Sequence, residues 1–131
     1  MLKVKIVTPS GLYGTFEASK VHVTTSVGEC TLLANHMPLV ATLKISKMIL
    51  TIDEKEHDFA ISSGILHLHN NQVSILVDAC EGEEEIDLER AQRSAERARK
   101  RLEKKDANTS IRRAEVSLQR ALNRINIKNG Y

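Results

Sequence analysis

The arginines of this chain are confined to its last third, and this distribution divides the sequence into two parts. All nine arginines of the 131 residues lie between Arg90 and Arg124, and none lies in the first eighty residues. The arginine-rich part shows two helical patterns of similar length, separated by a short polar break. The arginine-free part alternates between apolar and polar residues with a period of two. We therefore predict two domains with different tasks, at residues 1–82 and residues 83–131.

The first domain is predicted to consist of short strands. Leu2, Val4 and Ile6 alternate with lysines, as in a half-buried strand. The pair Asn70-Asn71 tolerates positive φ and predicts a two-residue hairpin turn. Short strands at regular spacing predict an antiparallel β-sandwich, or flattened barrel. The predicted strands are residues 2–6, 12–17, 19–26, 30–33, 39–45, 47–53, 57–62, 65–69 and 72–79.

The second domain is predicted to be an antiparallel hairpin of two helices. Asp87 is a suitable N-cap for the first helix, because its carboxylate can accept hydrogen bonds from N–H groups of the first turn. Glu83, Glu84 and Glu85 lie near the same helix end, where the helix dipole favours negative charge. The polar break supplies Thr109 or Ser110 as the cap of the second helix. The predicted fold class is therefore α+β, a sandwich followed by a helical hairpin.

Both helices carry a narrow apolar stripe that is rich in alanine. Alanine lets two helix axes approach closely but buries little area, and burial contributes only about 25 cal/mol per Å². A contact of this kind stabilises weakly, so the hairpin is predicted to be a mobile element. The predicted stripes are Leu88, Ala91, Ala95, Ala98 and Leu102 in the first helix, and Ile111, Ala114, Leu118, Ala121 and Ile125, widened by Leu122, in the second.

The arginines recur at helical spacing. Arg90 and Arg97 are seven residues apart on the first helix, and Arg120 and Arg124 are one turn apart on the second. The pattern alone favours pairing with the nearby acids Glu89, Glu96 and Glu115 on a solvated face. The alternative is a phosphate clamp, because arginine offers several donors to one polyanion.

Several site types are not expected. Cys30 and Cys80 have no metal or redox spacing, which suits a reducing cytoplasm. His67 and His69 share one face of a strand, but no nearby cluster supplies further metal ligands, so a polar strand face is expected there. No serine or cysteine has a convincing base and orienting partner, so no catalytic residue is predicted. No signal peptide is seen and no run approaches the roughly 18 apolar residues of a membrane span. Action at a membrane is therefore expected through partners.

Longer segments resemble a known family over essentially the full chain. VKIVTPSGLYGTFEASKV is similar to the opening strands of the epsilon subunit of bacterial F-type ATP synthase. GECTLLANHMPLVATLKI resembles its signature loop, and ISSGILHLHNNQVSILVDACE resembles the last strands of its sandwich. IDLERA and RRAEVSLQRALNR are similar to its two helices. The departures are Ala34-Asn35, where a Pro-Gly pair is frequent, and Cys30, at a position that is often aromatic or apolar.

The resemblance implies a ten-stranded sandwich and a helical hairpin in the rotating central stalk of a proton- or sodium-translocating enzyme. The sandwich is implied to bind the gamma subunit and the ring of c subunits, and to transmit torque without catalysis. The hairpin is implied to switch between a folded state and an extended state that contacts the alpha and beta subunits and inhibits ATP hydrolysis. The implied location is the cytoplasmic side of the cell membrane, as a peripheral protein.

The resemblance extends to bacillus-like members in which the folded hairpin binds ATP. It implies adenine contacts from the region of Ile86 and Asp87, and phosphate contacts from the arginines. ATP would then be a regulatory ligand, and no cofactor is required. The implied site residues are Glu81, Ile86, Asp87, Arg90, Ala91, Arg97, Arg120 and Arg124.

Three other function classes are weighed against this interpretation. A static assembly subunit of the same complex would lack nucleotide sensing and differ only in the hairpin. A nucleic-acid-binding module would need excess positive charge and usually stacking aromatics. Residues 81–131 instead hold ten acids against thirteen basic residues, with Tyr131 as the one aromatic, so no nucleic acid is expected. An enzyme in its own right is disfavoured by the missing nucleophile and metal constellations.

Overall fold

The computed structural model describes residues 1–104 and 110–130. By its internal contacts the chain falls into two units, Met1–Gly82 and Glu83–Tyr131. The described part of the first unit contains the strands, and that of the second contains the helices. The predicted α+β class is confirmed.

Ten strands form one sheet in the first unit. Nine of them overlap the strands predicted from alternation. The tenth, three residues long, was not predicted from alternation, because three residues are too few to show a period. The strands are β1 Leu2–Thr8, β2 Gly11–Ala18, β3 Lys20–Thr25, β4 Gly28–Leu33, β5 Leu39–Leu43, β6 Ser46–Ile52, β7 Lys55–Ile61, β8 Gly64–His69, β9 Gln72–Val77 and β10 Cys80–Gly82.

The sheet follows the order β10-β7-β6-β3-β5-β8-β9-β1-β2, with β4 paired to β3. The prediction of an antiparallel sheet holds for every ladder except one, since β1 pairs with β9 in parallel. Hairpin neighbours are antiparallel because a short turn reverses the chain. Strands β1 and β9 are separated by the rest of the sandwich, so no turn fixes their relative direction. Short-range patterns therefore gave no sign of this ladder.

The core of the sandwich is mostly aliphatic, as the scarcity of aromatic residues requires, and Phe59 is its buried aromatic residue. Along β1, Leu2, Val4 and Ile6 are fully buried while Lys3 and Lys5 are exposed, which confirms the predicted alternation. Side chains from β3, β6, β8 and β9 fill the same core. Its largest fully buried members include Leu32, Leu43, Met48, Leu50, Ile61, Leu66, Leu68 and Ile75.

Asparagines shape one end of the sandwich. Asn70 and Asn71 have φ values of 49° and 61°, which confirms the predicted turn between β8 and β9. Asn35 has φ 66°, a positive-φ conformation that asparagine tolerates. The Asn71 side-chain oxygen accepts the Asn35 backbone N–H at 2.6 Å. This bond fixes the loop after β4 to the β8–β9 turn.

Aromatic residues meet at the last residue of the sandwich. The Tyr13 ring lies edge-on to Phe59, with centroids 6.3 Å apart and planes at 85°. Phe16 also packs on Phe59, at 5.6 Å. Phe59 is the register partner of Gly82 in the ladder between β7 and β10, and Gly82 donates its N–H to the Tyr13 hydroxyl at 3.1 Å. The end of β10 is therefore anchored by both its ladder and an aromatic side chain.

The second unit contains a 3-10 turn at Glu83–Glu85, helix α1 at Leu88–Lys104 and helix α2 at Ile111–Lys128. The turn was not predicted. Helix α2 begins after Ser110, whose hydroxyl accepts the backbone N–H of Arg113 at 3.3 Å. This confirms one of the two predicted caps. The other, Thr109, and the rest of the break at 105–109 lie outside the described residues.

The alanines of the predicted stripes are buried. Their apolar neighbours Leu88, Leu102, Leu118, Leu122 and Ile125 are half-buried. Two positions differ from the prediction. Ile111 is 48% exposed, because side chains on a helix lean toward its N-terminus and this first residue points past the helix end. Ile127 is buried although it lies about 150° around the helix from the stripe. The fully buried helical positions are Ala91, Ala95, Ala98, Ala114, Ala121 and Ile127.

Candidate functional site

One face of α1 carries a row of cations, here called the basic row: Arg90, Arg93, Arg97 and Lys100. All four are exposed. At about 100° per residue they fall within an arc of about 80° and span about 15 Å along the axis. Together with Glu96 they line an open surface pocket. Arg93 and Lys100 were missed by the sequence analysis, although their spacing of three and ten residues from Arg90 is the signal of a shared helical face.

The basic row and the alanine stripe lie on opposite sides of α1. Ala91, Ala95 and Ala98 are buried, and their mean direction is about 150° from that of the basic row. Helix α1 packs against α2 in the same unit. Packing through one face thus leaves the cationic face open to solvent, where it can meet a polyanion or an acidic protein surface.

The start of α1 has the predicted cap. The Asp87 carboxylate accepts the backbone N–H of Arg90 at 3.1 Å. The backbone carbonyl of Asp87 accepts the N–H of Ala91 at 3.0 Å. Ile86, just before the cap, is 4% exposed and donates its N–H to the Glu83 carbonyl at 3.3 Å. Four of the predicted site residues, Ile86, Asp87, Arg90 and Ala91, therefore form one continuous segment with a fixed backbone.

Arg120 and Arg124 lie on α2 and are half-buried. The two helices are antiparallel, because Lys128 at the end of α2 donates to the Glu83 carbonyl just before α1, at 3.2 Å. This arrangement puts Arg124 near the level of Arg90 along the hairpin. Neither α2 arginine is among the described residues that line the surface pocket. The sequence analysis missed Lys128, because its contact exists only once the hairpin has closed.

Glu81 is set apart from the other predicted site residues. It is the middle residue of β10, pairs with Ala60 on β7 and is half-buried. It therefore belongs to the sandwich unit, whereas the other seven residues belong to the helical unit. The structure places Ile86 and Asp87 just before α1, Arg90, Ala91 and Arg97 on α1, and Arg120 and Arg124 on α2.

The ion-pair alternative does not hold for the arginines of the basic row. Within the described part of the chain, Arg90, Arg93 and Arg97 have no carboxylate partner within ion-pair distance. Arg97 instead donates to the Ser94 hydroxyl at 3.3 Å. Glu96 shares the pocket with these arginines without pairing to them. Their guanidinium groups keep donors available for an external anion.

Other site types gain no support from the described residues. Residues 1–104 and 110–130 contain no group of three or more potential metal ligands. His67 and His69 lie side by side on β8, with parallel rings 6.4 Å apart, as expected for alternate residues of one strand face. Over the same ranges, no helix is long and apolar enough to cross a membrane.

The sandwich presents an exposed apolar row that crosses four adjacent strands. Ile65 on β8 is opposite Leu76 on β9, Leu76 is opposite Val7 on β1, and Val7 is opposite Leu12 on β2. Ile65, Leu76 and Leu12 are 50%, 51% and 60% exposed. Contiguous exposed apolar side chains commonly mark protein–protein contacts. This apolar row is therefore a candidate docking surface.

Two family models together span the chain. Residues 1–83 match the ATP synthase delta/epsilon chain beta-sandwich domain, and residues 84–129 match the delta/epsilon chain long alpha-helix domain. The chain is 40% identical over 131 residues to the ATP synthase epsilon chain of Ligilactobacillus salivarius, covering 97% of this chain and 94% of that relative. The chain belongs to the ATP synthase epsilon chain family. Its members are subunits of ATP synthase, so the family resemblance inferred from sequence is confirmed.

Further epsilon chains are similarly related. Those of Clostridium novyi and Bacillus velezensis are 44% and 42% identical, with coverage of 94% and 96% of this chain and the same shares of the relatives. Among solved structures, a chain of Euglena gracilis mitochondrial ATP synthase (OSCP/F1/c-ring) has a TM-score of 0.77 at 22% identity, covering 90% of this chain and 75% of that one. A chain of the Tetrahymena thermophila central stalk/c-ring has a TM-score of 0.64 at 14% identity, covering 97% and 96%. These structures share the fold.

Proposed function

We propose that this epsilon chain is a non-catalytic central-stalk subunit that couples rotation to ATP synthesis and restrains ATP hydrolysis through a hairpin that binds ATP when folded. The observation that carries the regulatory part is the exposed basic row of α1, which has free donors beside a capped helix start. Membership of the family supports the stalk role. We further propose a peripheral location on the cytoplasmic side of the cell membrane, where the enzyme moves protons or sodium ions.

The sandwich is proposed to bind the gamma subunit and the ring of c subunits. The apolar row supports a protein partner, because burial of three or four such side chains contributes favourable free energy of about 25 cal/mol per Å². Related solved assemblies are described as OSCP/F1/c-ring and central stalk/c-ring, which supports the ring of c subunits as a partner. Torque would pass through the rigid sheet without any chemical step in this chain.

The folded hairpin is proposed to bind ATP through the site predicted from sequence. Arg90 and Arg97 supply guanidinium donors on α1, and Arg120 and Arg124 supply them on α2. The segment at Ile86 and Asp87 would contact adenine, with Glu81 as an upstream acid. A charge-assisted hydrogen bond contributes roughly 1.5–3 kcal/mol when well buried, and less when exposed. Affinities in the micromolar to millimolar range, about −8 to −4 kcal/mol, are therefore expected.

ATP would regulate by preferring one conformation of the hairpin. A ligand shifts an equilibrium only by its differential affinity for the two states. ATP bound to the folded hairpin would keep it away from the alpha and beta subunits, and depletion of ATP would release it to inhibit hydrolysis. The small alanines buried in both helices support such a switch, because they bury little area. In the extended state the basic row would face an acidic surface of beta.

Equilibrium titration of the purified chain with ATP tests the nucleotide site. The double variant Arg90→Ala, Arg124→Ala removes one proposed phosphate contact from each helix and is expected to weaken binding about 100-fold or more, given two charge-assisted bonds. The matched control is Arg112→Ala, which removes an exposed arginine outside the proposed site. Equal ATP affinity of the double variant and the control would rule out the proposed clamp and leave the chain as a static assembly subunit.

A further inference from the structure

His67 lies between exposed apolar side chains on the outer face of the sandwich. It follows Ile65 by two residues on β8, and both side chains are exposed. Its register partner on β5 is Val40, which is 67% exposed. Alternate residues of a strand lie about 7 Å apart on one face, and neighbouring strands lie about 4.8 Å apart. The imidazole is therefore bordered by Ile65 of the apolar row on one side and by Val40 on another.

A partner that docks on the apolar row covers His67 as well. A standard protein–protein interface buries about 800 Å² on each side, which is more than the side chains of the row supply. The contact must therefore extend past the row. Val40 continues the exposed apolar surface onto β5, the neighbour of β8 in the sheet. Since His67 lies between Ile65 and Val40, contact with both removes water from its imidazole.

The strands around His67 supply no carboxylate that could pair with a protonated imidazole. Strands β1, β5, β8 and β9 contain neither Asp nor Glu. Asp78 follows β9 and lies four residues beyond Ser74, the register partner of His67, which is about 13 Å along the strand. The side chains that β5 and β9 present on this face are all uncharged: Val40, Thr42, Gln72, Ser74 and Leu76.

The titratable side chains that share this face on β8 and β1 are bases. His69 follows two residues later, with its ring parallel to that of His67 at 6.4 Å. Lys3 and Lys5 reach the same face through the β1–β9 ladder. The loop before β5 adds His36. A proton added to His67 therefore meets like charge from these elements, and removal of water would leave that proton's charge without compensation.

We propose that His67 makes docking on this surface depend on pH, because the partner binds the chain with a neutral imidazole at this position. This inference rests on the proposed function, in which the sandwich binds the gamma subunit. In the free chain the exposed imidazole is hydrated and can accept a proton, whereas in the complex a charge there would lose its water. Protonation therefore stabilises the free chain relative to the complex. Affinity for gamma should be fully present above the range in which histidines titrate, near about pH 6.5, and should fall as the pH drops through that range.

Calorimetric titration of the purified full chain with the gamma subunit tests this dependence at about pH 7.5 and about pH 5.5, on either side of the histidine range. A histidine of ordinary pKa whose proton is excluded from the complex raises the dissociation constant about 10-fold between these values. His67→Gln has no charge at either pH, so its affinity should fall little on acidification. His67→Lys is charged at both, so it should bind at least about 10-fold more weakly than the wild type at the higher pH.

His57→Gln is the matched control, since it removes an exposed histidine from β7, a strand that does not pair with β8. It should bind gamma as the wild type does at both pH values. The inference is overturned by a wild-type affinity that does not change with pH, or by an equal loss on acidification in His67→Gln. Wild-type affinity of His67→Lys at the higher pH would also overturn it. A wild-type chain that binds gamma at neither pH would instead reject the docking proposed above, and this inference with it.

Discussion

The Asp87 carboxylate accepts the backbone N–H of Arg90 at 3.1 Å, so the cap of α1 is bonded to the first cation of the basic row. Replacing Asp87 by alanine should destabilise α1 by about 1 kcal/mol, because an N–H of the first turn loses its partner. Asp87→Ser retains a capping oxygen and should recover most of that loss. Hydrogen exchange of the first α1 amides measures both variants. A serine variant as unstable as the alanine variant would contradict the capping role.

The buried alanines of α1 limit the size of the side chains that fit between the packed helices. Ala95 is 1% exposed, so Ala95→Leu places extra atoms where no space exists and should destabilise the hairpin by about 1–3 kcal/mol. Gln92→Leu, at an exposed position of the same helix, is the control and should change stability little. Urea unfolding followed by the helical circular-dichroism signal compares them. Equal stability of the two variants would show that Ala95 does not limit helix packing.

Charged substitutions in the apolar row should weaken partner binding without unfolding the protein. Ile65→Asp combined with Leu12→Asp places charge at two exposed positions on strands that are not neighbours, so the free energy of unfolding should change by no more than about 0.5 kcal/mol per site. Affinity for the gamma subunit should fall at least about 10-fold, which equals 1.4 kcal/mol. Thr15→Asp, exposed on β2, should bind normally. Calorimetric titration with gamma provides the measurement, and unchanged affinity of the double variant would exclude this row from the interface.

Limited proteolysis distinguishes the nucleotide sensor from a static subunit. The segment between Gly82 and Asp87 joins the two units and includes the 3-10 turn. At ATP concentrations ten times the dissociation constant, ligand binding stabilises the bound state by about 1.4 kcal/mol, so cleavage there should slow about 10-fold. The Arg90→Ala, Arg124→Ala variant should be cleaved at one rate with or without ATP. Cleavage of the wild-type chain that ignores ATP would favour the static subunit.

Gly64 occupies a position in the sandwich that has no room for a side chain. A Cβ there would collide with the Leu76 carbonyl oxygen and would come within 2.7 Å of Val77 Cα. Both obstacles are backbone atoms of the neighbouring strand, which cannot turn aside. Gly64→Ala should therefore destabilise the sandwich by about 1–3 kcal/mol, as overpacking does. Thermal unfolding measures this loss of stability. A variant as stable as the wild type would show that β8 and β9 can separate at this point.

Local patterns predicted the elements of this fold well. Alternation in Leu2, Val4 and Ile6 identified a half-buried strand, and the cap at Asp87 identified the start of α1, because each depends on neighbours in sequence. The β1–β9 ladder and the burial of Ile127 were not predicted. Each depends on residues far away in the chain, and no short window of sequence contains that information.

Only part of the candidate site could be predicted from the sequence. The spacing of Arg90 and Arg97 correctly indicated one helix face, and the same spacing could have added Arg93 and Lys100. The ion pairs that the pattern favoured were not found for Arg90 and Arg97. Oppositely charged side chains that are close in sequence can adopt rotamers that keep their charged groups apart. The Lys128–Glu83 contact depends on hairpin closure, so sequence spacing alone gave no indication of it.

The parallel ladder between β1 and β9 has a consequence for biosynthesis. The first strand made is flanked by β2 and β9 in the finished sheet, so one of its edges stays without its partner until residue 77 has been synthesised. During that interval the buried face of β1, with Leu2, Val4 and Ile6, has no complete core to enter. Contacts that are distant in sequence form slowly, and open apolar edges promote aggregation. The two exposed lysines between these residues give the nascent strand charges that oppose self-association.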